Sequence, residues 1–125
     1  MPYQIEYAYT SHIGNVRDNN EDNFWCCGET MNAENQGTKG VLVGKAAQSP
    51  FPLLAVFDGM GGESCGEIAA FLAADACGKH YQEFWPGMKK QPEQFLEEIC
   101  RSMNHAVFEY STENRIRTMG TTAVM

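Results

Sequence analysis

The feature that most constrains the fold is an apolar run that leads into an acidic residue and a glycine-rich segment. Residues 53–57 read LLAVF, and Asp58 follows directly, ahead of Gly59, Gly61 and Gly62. A short, uninterrupted apolar run is typical of a β-strand that is covered on both faces. We therefore predict a buried strand over residues 53–57, with a turn that begins at Asp58.

The chemistry of Asp58 has two interpretations. A carboxylate at the edge of a core is costly unless it is paired or binds a cation, and no Lys or Arg lies within six residues of it in the sequence. Since glycines let the backbone approach a ligand closely, the Gly59 carbonyl oxygen could join the Asp58 carboxylate around Mg²⁺ or Mn²⁺. The residues alone also allow a strand-to-helix turn in which Asp58 is a capping group.

A second polar cluster, residues 17–22 (RDNNED), precedes a predicted strand at residues 23–27. Arg17 carries a planar guanidinium that can hold a phosphoryl group through two parallel hydrogen bonds. Glu21 and Asp22 are close to it in the sequence, so a surface loop of salt bridges is the alternative interpretation. The residues alone do not decide between phosphoryl binding and a salt-bridged loop.

Other strands are indicated by alternation and by turn residues. Residues 3–9 alternate apolar and polar side chains, which predicts a half-buried strand. Residues 29–52 read as a loop with one short strand at 41–43. Residues 120–125 (GTTAVM) begin another β-type run.

Two helices are predicted between these strands. The first is expected to start near Ser64 and Glu67, which have the spacing of a capping box, and to end between residues 80 and 85. The second is expected to start at Pro92, with an apolar face along residues 95–110. Two consecutive helices favour an α+β fold over repeated βαβ units.

Composition limits the class of protein. A chain of 125 residues with 43% hydrophobic residues suits one globular domain over residues 1–125. The net charge of −7 argues against nucleic acid as a partner, because phosphate binding needs clustered cations. Acidity either maintains solubility or, for some carboxylates, serves cation binding. Without an apolar run of about 18 residues or a basic, apolar leader, we expect a soluble cytoplasmic protein with no membrane partner.

Cysteines and histidines give weaker signals. Five cysteines, an odd number with no C-x-x-C spacing, fit neither a zinc site nor a disulfide framework, so we predict buried thiols in a reducing compartment. His12, His80 and His105 are scattered, and we interpret them as ordinary surface or helix residues.

Three segments carry a resemblance to a known family: residues 11–22 (SHIGNVRDNNED), 54–62 (LAVFDGMGG) and 119–122 (MGTT). In this order they resemble the type 2C metal-dependent serine/threonine protein phosphatases, in particular the bacterial branch. The first two segments are specific and the third is short. The resemblance extends over residues 3–124.

The resemblance implies a β-sandwich flanked by helices on both sides (α-β-β-α), with two Mn²⁺ or Mg²⁺ ions at one edge. Asp58 resembles the carboxylate that bridges both ions, and Gly59 the residue whose carbonyl oxygen binds one of them. Glu21 would act through a metal-bound water, and Asp22 would support the cluster without binding a metal. Arg17 resembles the residue that holds the substrate phosphoryl group. A water activated by the two ions would then hydrolyse phosphoserine or phosphothreonine in a phosphoprotein.

Two departures from the family pattern modify this expectation. Met60 stands where many eukaryotic members carry a His that could protonate the leaving group, and bacterial-type members commonly carry Met there. The aspartates that complete the family's metal sites follow the Gly-Thr-Thr segment, beyond Met125. We therefore expect the N-terminal part of a truncated sandwich, weak or inactive alone, that could self-associate through exposed strand edges.

Two other classes of function remain as alternatives. One is a non-catalytic regulatory or binding module derived from a phosphatase. The other is an unrelated α+β domain whose acidic turns are purely structural.

Overall fold

A computed structural model describes residues 3–47, 52–61, 65–88 and 91–125, without the side chains of residues 86–88. Within these ranges the order of elements is β1 (Gln4–Tyr9), β2 (Asp22–Cys26), β3 (Leu42–Ala47), β4 (Leu54–Met60), α1 (Gly66–Met88), α2 (Pro92–Glu113) and β5 (Gly120–Thr121). The predicted α+β class is confirmed, since both sheets are antiparallel and the two helices follow one another.

The strands form two sheets. In the two-strand sheet, β1 pairs with β3, from Gln4 opposite Ala47 to Tyr9 opposite Leu42. In the three-strand sheet, β4 is central and pairs with β2 on one side and β5 on the other. The rings of Tyr9 and Phe24, with centroids 4.9 Å apart, bring the two sheets into contact.

The core lies between the three-strand sheet and the helices. The face of α1 that packs here carries small buried side chains, which are Ala70, Ala73, Ala74 and Cys77. Small side chains let α1 approach closely, and the Trp25 ring of β2 lies directly against Gly78. The buried residues Phe95, Ile99 and Met103 of α2 belong to the same cluster. Burial of each large apolar side chain stabilises the fold by about 1.5–3 kcal/mol.

The prediction that the β4 region is covered on both faces is wrong. Ala55 and Phe57 are buried, whereas Val56 is 57% exposed and Met60 58% exposed. The buried side chains face α1. No described element covers the opposite face completely, so the strand alternates as a half-buried strand does.

The predicted turn at Asp58 is also wrong, because β4 continues to Met60. Backbone pairing of Gly59 with Thr121 and of Met60 with Gly120 keeps this segment in the sheet despite its glycines. Asp58 is therefore a strand residue and does not cap a helix.

Several elements extend beyond their predicted boundaries. β3 is longer than residues 41–43 because β1 pairs along its whole length. α1 continues past residue 85 to Met88, and the Trp85 ring packs on Phe95 at 4.7 Å between centroids. α2 begins at Pro92 as predicted, and the carbonyl of Tyr110 accepts hydrogen bonds from Asn114 at its end. Ser64, half of the proposed capping box, lies outside the described residues.

All five cysteines are free, but only Cys26 and Cys77 are buried. Burial raises the pKa of Cys77 to about 12 and that of Cys26 to about 11, so both stay thiols at neutral pH. The expectation of buried thiols therefore holds for these two and is wrong for Cys100, which is exposed. Neither described helix combines the length and the apolar character that a membrane crossing needs.

Candidate functional site

Strand pairing places two carboxylates side by side. Asp22, the first residue of β2, lies directly opposite Asp58 in β4, on the face of the sheet that points away from α1. Directly opposed residues in an antiparallel pair have Cβ atoms about 4.5–5.5 Å apart, and like charges there are destabilising. Partial burial and then the charge of Asp58 raise the pKa of Asp22. A cation bound between the two carboxylates would relieve this repulsion.

Backbone hydrogen bonds fix Asp58 from both neighbouring strands. Its N–H donates to the Thr122 hydroxyl at 3.1 Å, and its carbonyl accepts the Thr122 N–H at 2.9 Å. On the β2 side, the Gly59 N–H donates to the Glu21 carbonyl at 3.0 Å. The strand that carries the Asp58 carboxylate is therefore hydrogen-bonded to the chain on both of its sides.

Glu21 lies where β2, β4 and the start of α1 meet. A Cβ atom at Gly66 would come within 2.9 Å of the Glu21 side-chain carboxyl carbon, so the carboxylate lies against the first residue of α1. Helix N-termini favour negative charge. Because Gly66 is a glycine, there is space for the Glu21 carboxylate beside Asp22 and Asp58.

A buried amide connects the acidic segment to a distant loop. Asn20, only 4% exposed, donates to Ser11 Oγ at 3.0 Å and to Asn35 Oδ1 at 2.8 Å, and its own Oδ1 accepts the Asp22 N–H at 3.2 Å. The NH₂ group and the carbonyl oxygen of the Asn20 side chain thus both have hydrogen-bond partners inside the protein, as a buried amide requires. Asn20 thereby fixes the backbone that leads into Asp22.

Arg17, Glu21, Asp22 and Asp58 line one cleft of about 180 Å³. Four of the five predicted site residues are therefore brought together. The fifth, Gly59, is buried next to Glu21 and Gly66 and is not among the described residues that line the cleft.

Arg17 is an exposed side chain on the turn that precedes this cleft. The alternative of a salt-bridged loop is not observed, because Arg17 forms no ion pair with any residue in the described ranges. Its guanidinium is thus available to a ligand.

Three residues of the site were not singled out from the sequence. His12 lines the cleft, Asn20 holds its backbone, and Thr122 pairs with Asp58. The Gly-Thr-Thr segment was a signal for Thr122. Nothing in the local pattern distinguishes a buried Asn20 from its exposed neighbours.

The donor set for a cation is partial. Across the described residues, no group of three or more His, Cys, Asp or Glu side chains is arranged to hold a metal ion. Mg²⁺, however, is usually held by one or two carboxylates and completed by water and substrate phosphates. Asp58, with Asp22 directly opposite it, lies in the cleft as a carboxylate of the type that such a limited donor set uses.

Comparison with known proteins finds similarity at the level of structure. No protein-family model and no curated protein sequence matches the chain. A crystal structure of the serine/threonine phosphatase PstP/Ppp from Mycobacterium tuberculosis matches with a TM-score of 0.63 and 26% sequence identity. The chain is similar in fold to a serine/threonine phosphatase. The match covers 96% of this chain and 40% of that structure, so the chain spans about two fifths of the phosphatase's length.

Proposed function

We propose that this protein hydrolyses phosphoserine and phosphothreonine in phosphoproteins, with Mn²⁺ or Mg²⁺ as cofactor. The observation that carries the proposal is the cleft that Arg17 shares with the Asp22–Asp58 pair. The similarity in fold to a serine/threonine phosphatase supports it independently.

Arg17 is the proposed phosphoryl-binding residue. A guanidinium presents paired N–H donors that match two phosphoryl oxygens. The nearby carboxylates would repel a phosphoryl dianion unless cations neutralise them, which is the physical reason for coupling substrate binding to a metal.

Asp58 is proposed to hold the metal ions, with the Gly59 carbonyl oxygen as a further ligand. Glu21 and Asp22 are proposed to support the same centre. When bound, divalent ions lower the pKa of a water molecule and neutralise charge on the phosphoryl oxygens. The protein's own contribution is a carboxylate pair set on paired strands beside a phosphoryl-binding arginine.

The side chains of the cleft favour water as the attacking group. The described residues that line the cleft of about 180 Å³ carry no thiol or hydroxyl, and the hydroxyl of Thr122 beside it accepts the Asp58 N–H. Cys26 and Cys77 are buried, with pKa values raised to about 11 and about 12, so neither supplies a thiolate nucleophile.

The first experiment measures Mn²⁺ binding and Mn²⁺-dependent hydrolysis of a phosphothreonine peptide by this chain. Asp58→Asn should abolish both metal uptake and any turnover. Asp75→Asn is the matched control, because it removes the same charge from an exposed ion pair with Lys79 on α1.

The possible results separate the functions. Metal uptake or turnover that is lost in Asp58→Asn but kept in Asp75→Asn supports the proposal. Equal behaviour of the two variants contradicts the role of Asp58. Stoichiometric capture of a partner without metal uptake favours the non-catalytic binding module instead.

A further inference from the structure

His12 is an exposed residue that lines the same cleft as Arg17 and Asp58, and its ring accepts a hydrogen bond from the backbone. Its Nδ1 accepts the N–H of Gly14 at 2.9 Å, across a turn in which Gly14 has a φ of +84°. A neutral imidazole carries one proton, so with Nδ1 as acceptor the proton is on Nε2.

The Nε2–H group has no hydrogen-bond acceptor within the part of the chain that the structure describes. Met60 is exposed two residues from Asp58 on the same face of β4, and it is not among the described residues that line the cleft. Its thioether has no proton to donate. His12 therefore offers the cleft an N–H donor in addition to the guanidinium of Arg17.

We infer that His12 is a second phosphoryl-binding residue, whose Nε2–H donates a hydrogen bond to a phosphoryl oxygen that Arg17 also attracts. The inference rests on the proposed function and names a new contact for its substrate. A hydrogen bond from a fixed donor to a charged oxygen is stronger than one between neutral groups, and a donor already oriented needs no reorganisation.

The hydrogen bond to Gly14 also defines what His12 does not do. Nδ1 can accept the Gly14 N–H only while it is unprotonated, and a neutral ring that released its Nε2 proton would become an imidazolate. The inference therefore assigns His12 the role of a hydrogen-bond donor to the phosphoryl group and no proton transfer.

Two substitutions separate the two ring nitrogens. His12→Asn places an amide oxygen near the position of Nδ1 and keeps the acceptor for Gly14, but it removes the donor at Nε2. His12→Gln places an amide nitrogen near the position of Nε2 and loses the local acceptor. His105→Asn, on the exposed face of α2, is the matched control.

The measurement is the affinity for a phosphothreonine peptide in the presence of the diamagnetic ion Mg²⁺, determined by NMR titration, with the unphosphorylated peptide as reference. Loss of one hydrogen bond to a charged group weakens binding about tenfold to a hundredfold, which we expect for His12→Asn. His12→Gln should remain within about threefold of the parent chain if its amide restores the donor. The backbone spectrum of each variant reports whether it is folded.

Binding by His12→Asn that equals the parent, or a greater loss in His12→Gln than in His12→Asn, overturns the inference. The second pattern would show that the Gly14 hydrogen bond, not the Nε2 donor, is what matters. An imidazole ¹⁵N spectrum with the proton on Nδ1 overturns it independently of any ligand.

Failure of the proposed function has a different signature. If Arg17→Ala binds the phosphopeptide as tightly as the parent chain does, or if the parent does not bind it at all, the phosphoryl site itself is wrong. If Arg17→Ala weakens binding and His12→Asn does not, only the inference about His12 fails.

Discussion

Gly59 in β4 lies so close to the carbonyl oxygen of Gly66 that residue 59 has no room for a side chain. A Cβ atom on Gly59 would collide with that oxygen and would lie 2.7 Å from the Glu21 carbonyl oxygen. Both obstacles are backbone atoms, which cannot rotate away. We expect Gly59→Ala to reduce the free energy of unfolding by about 1–3 kcal/mol, measured by urea denaturation.

Gly120→Ala is the control for this substitution. Nothing lies within 4 Å of a Cβ atom built at Gly120, and its φ is not in the left-handed region. Its effect should remain within about 0.5 kcal/mol. Equal effects of the two substitutions would show that the close approach of β4 and α1 is not what limits residue 59.

The pH dependence of stability should report on Asp22. Partial burial, followed by the charge of Asp58, raises the pKa of Asp22 above its ordinary value of 3.8. The folded chain then holds this proton more tightly than the unfolded chain, so ionisation of Asp22 costs stability above the folded-state pKa. The cost should disappear as the pH falls through that pKa towards 3.8.

The measurement compares the parent chain with Asp22→Asn, without metal, by chemical denaturation across this pH range. We expect the free energy of unfolding of Asp22→Asn to exceed that of the parent chain most at neutral pH, and by less in acid. An advantage that grows as the pH falls would mean that Asp22 is stabilised by its surroundings, contrary to the structure.

Asn20→Ala should destabilise the chain, because it leaves the partners of a buried amide unsatisfied. The expected loss is about 1–3 kcal/mol in thermal or chemical unfolding. Asn104→Ala removes the same group from an exposed position on α2 and should have little effect. Similar losses in both variants would contradict the role assigned to the Asn20 network.

Self-association should depend on the part of the three-strand sheet that the two-strand sheet leaves exposed. Val56 is 57% exposed on that face, and Val124, which pairs with it, is 65% exposed. We expect concentration-dependent association in sedimentation velocity that Val56→Lys reduces. Phe108→Lys changes a residue that is 65% exposed on α2 and should leave association unchanged. A parent chain that remains monomeric at all concentrations would contradict this prediction.

The sequence was informative where the signal is local. The alternation in β1 and the apolar spacing of α2 identify both elements, and the acidic and glycine motifs locate Arg17 and Asp58. The continuation of β4 through its glycines could not be predicted, because it depends on Thr122, 64 residues away from Asp58. For the same reason, no local pattern shows that Asp22 faces Asp58.

Other misses have a similar cause. Whether β4 is covered on one face or two depends on which elements surround it, and an apolar run of five residues is compatible with both. His12 could not be identified as a site residue from the sequence, because only folding brings it beside residues of β2 and β4. Secondary-structure propensity is a property of a single segment, whereas this candidate site is formed by contacts between segments.

The alignment of β2 on β4 has a consequence for how this chain can vary. Side chains alternate between the two faces of a strand, so a slip of one residue in pairing would turn Asp22 towards α1 and move Trp25 out of the core. The acidic pair and the Trp25–Gly78 contact therefore depend on the same alignment of strands. An insertion or deletion within β2 would remove both at once, whereas a change in the length of the loop around Asn35 would act on the acidic pair through the hydrogen bond between Asn20 and Asn35.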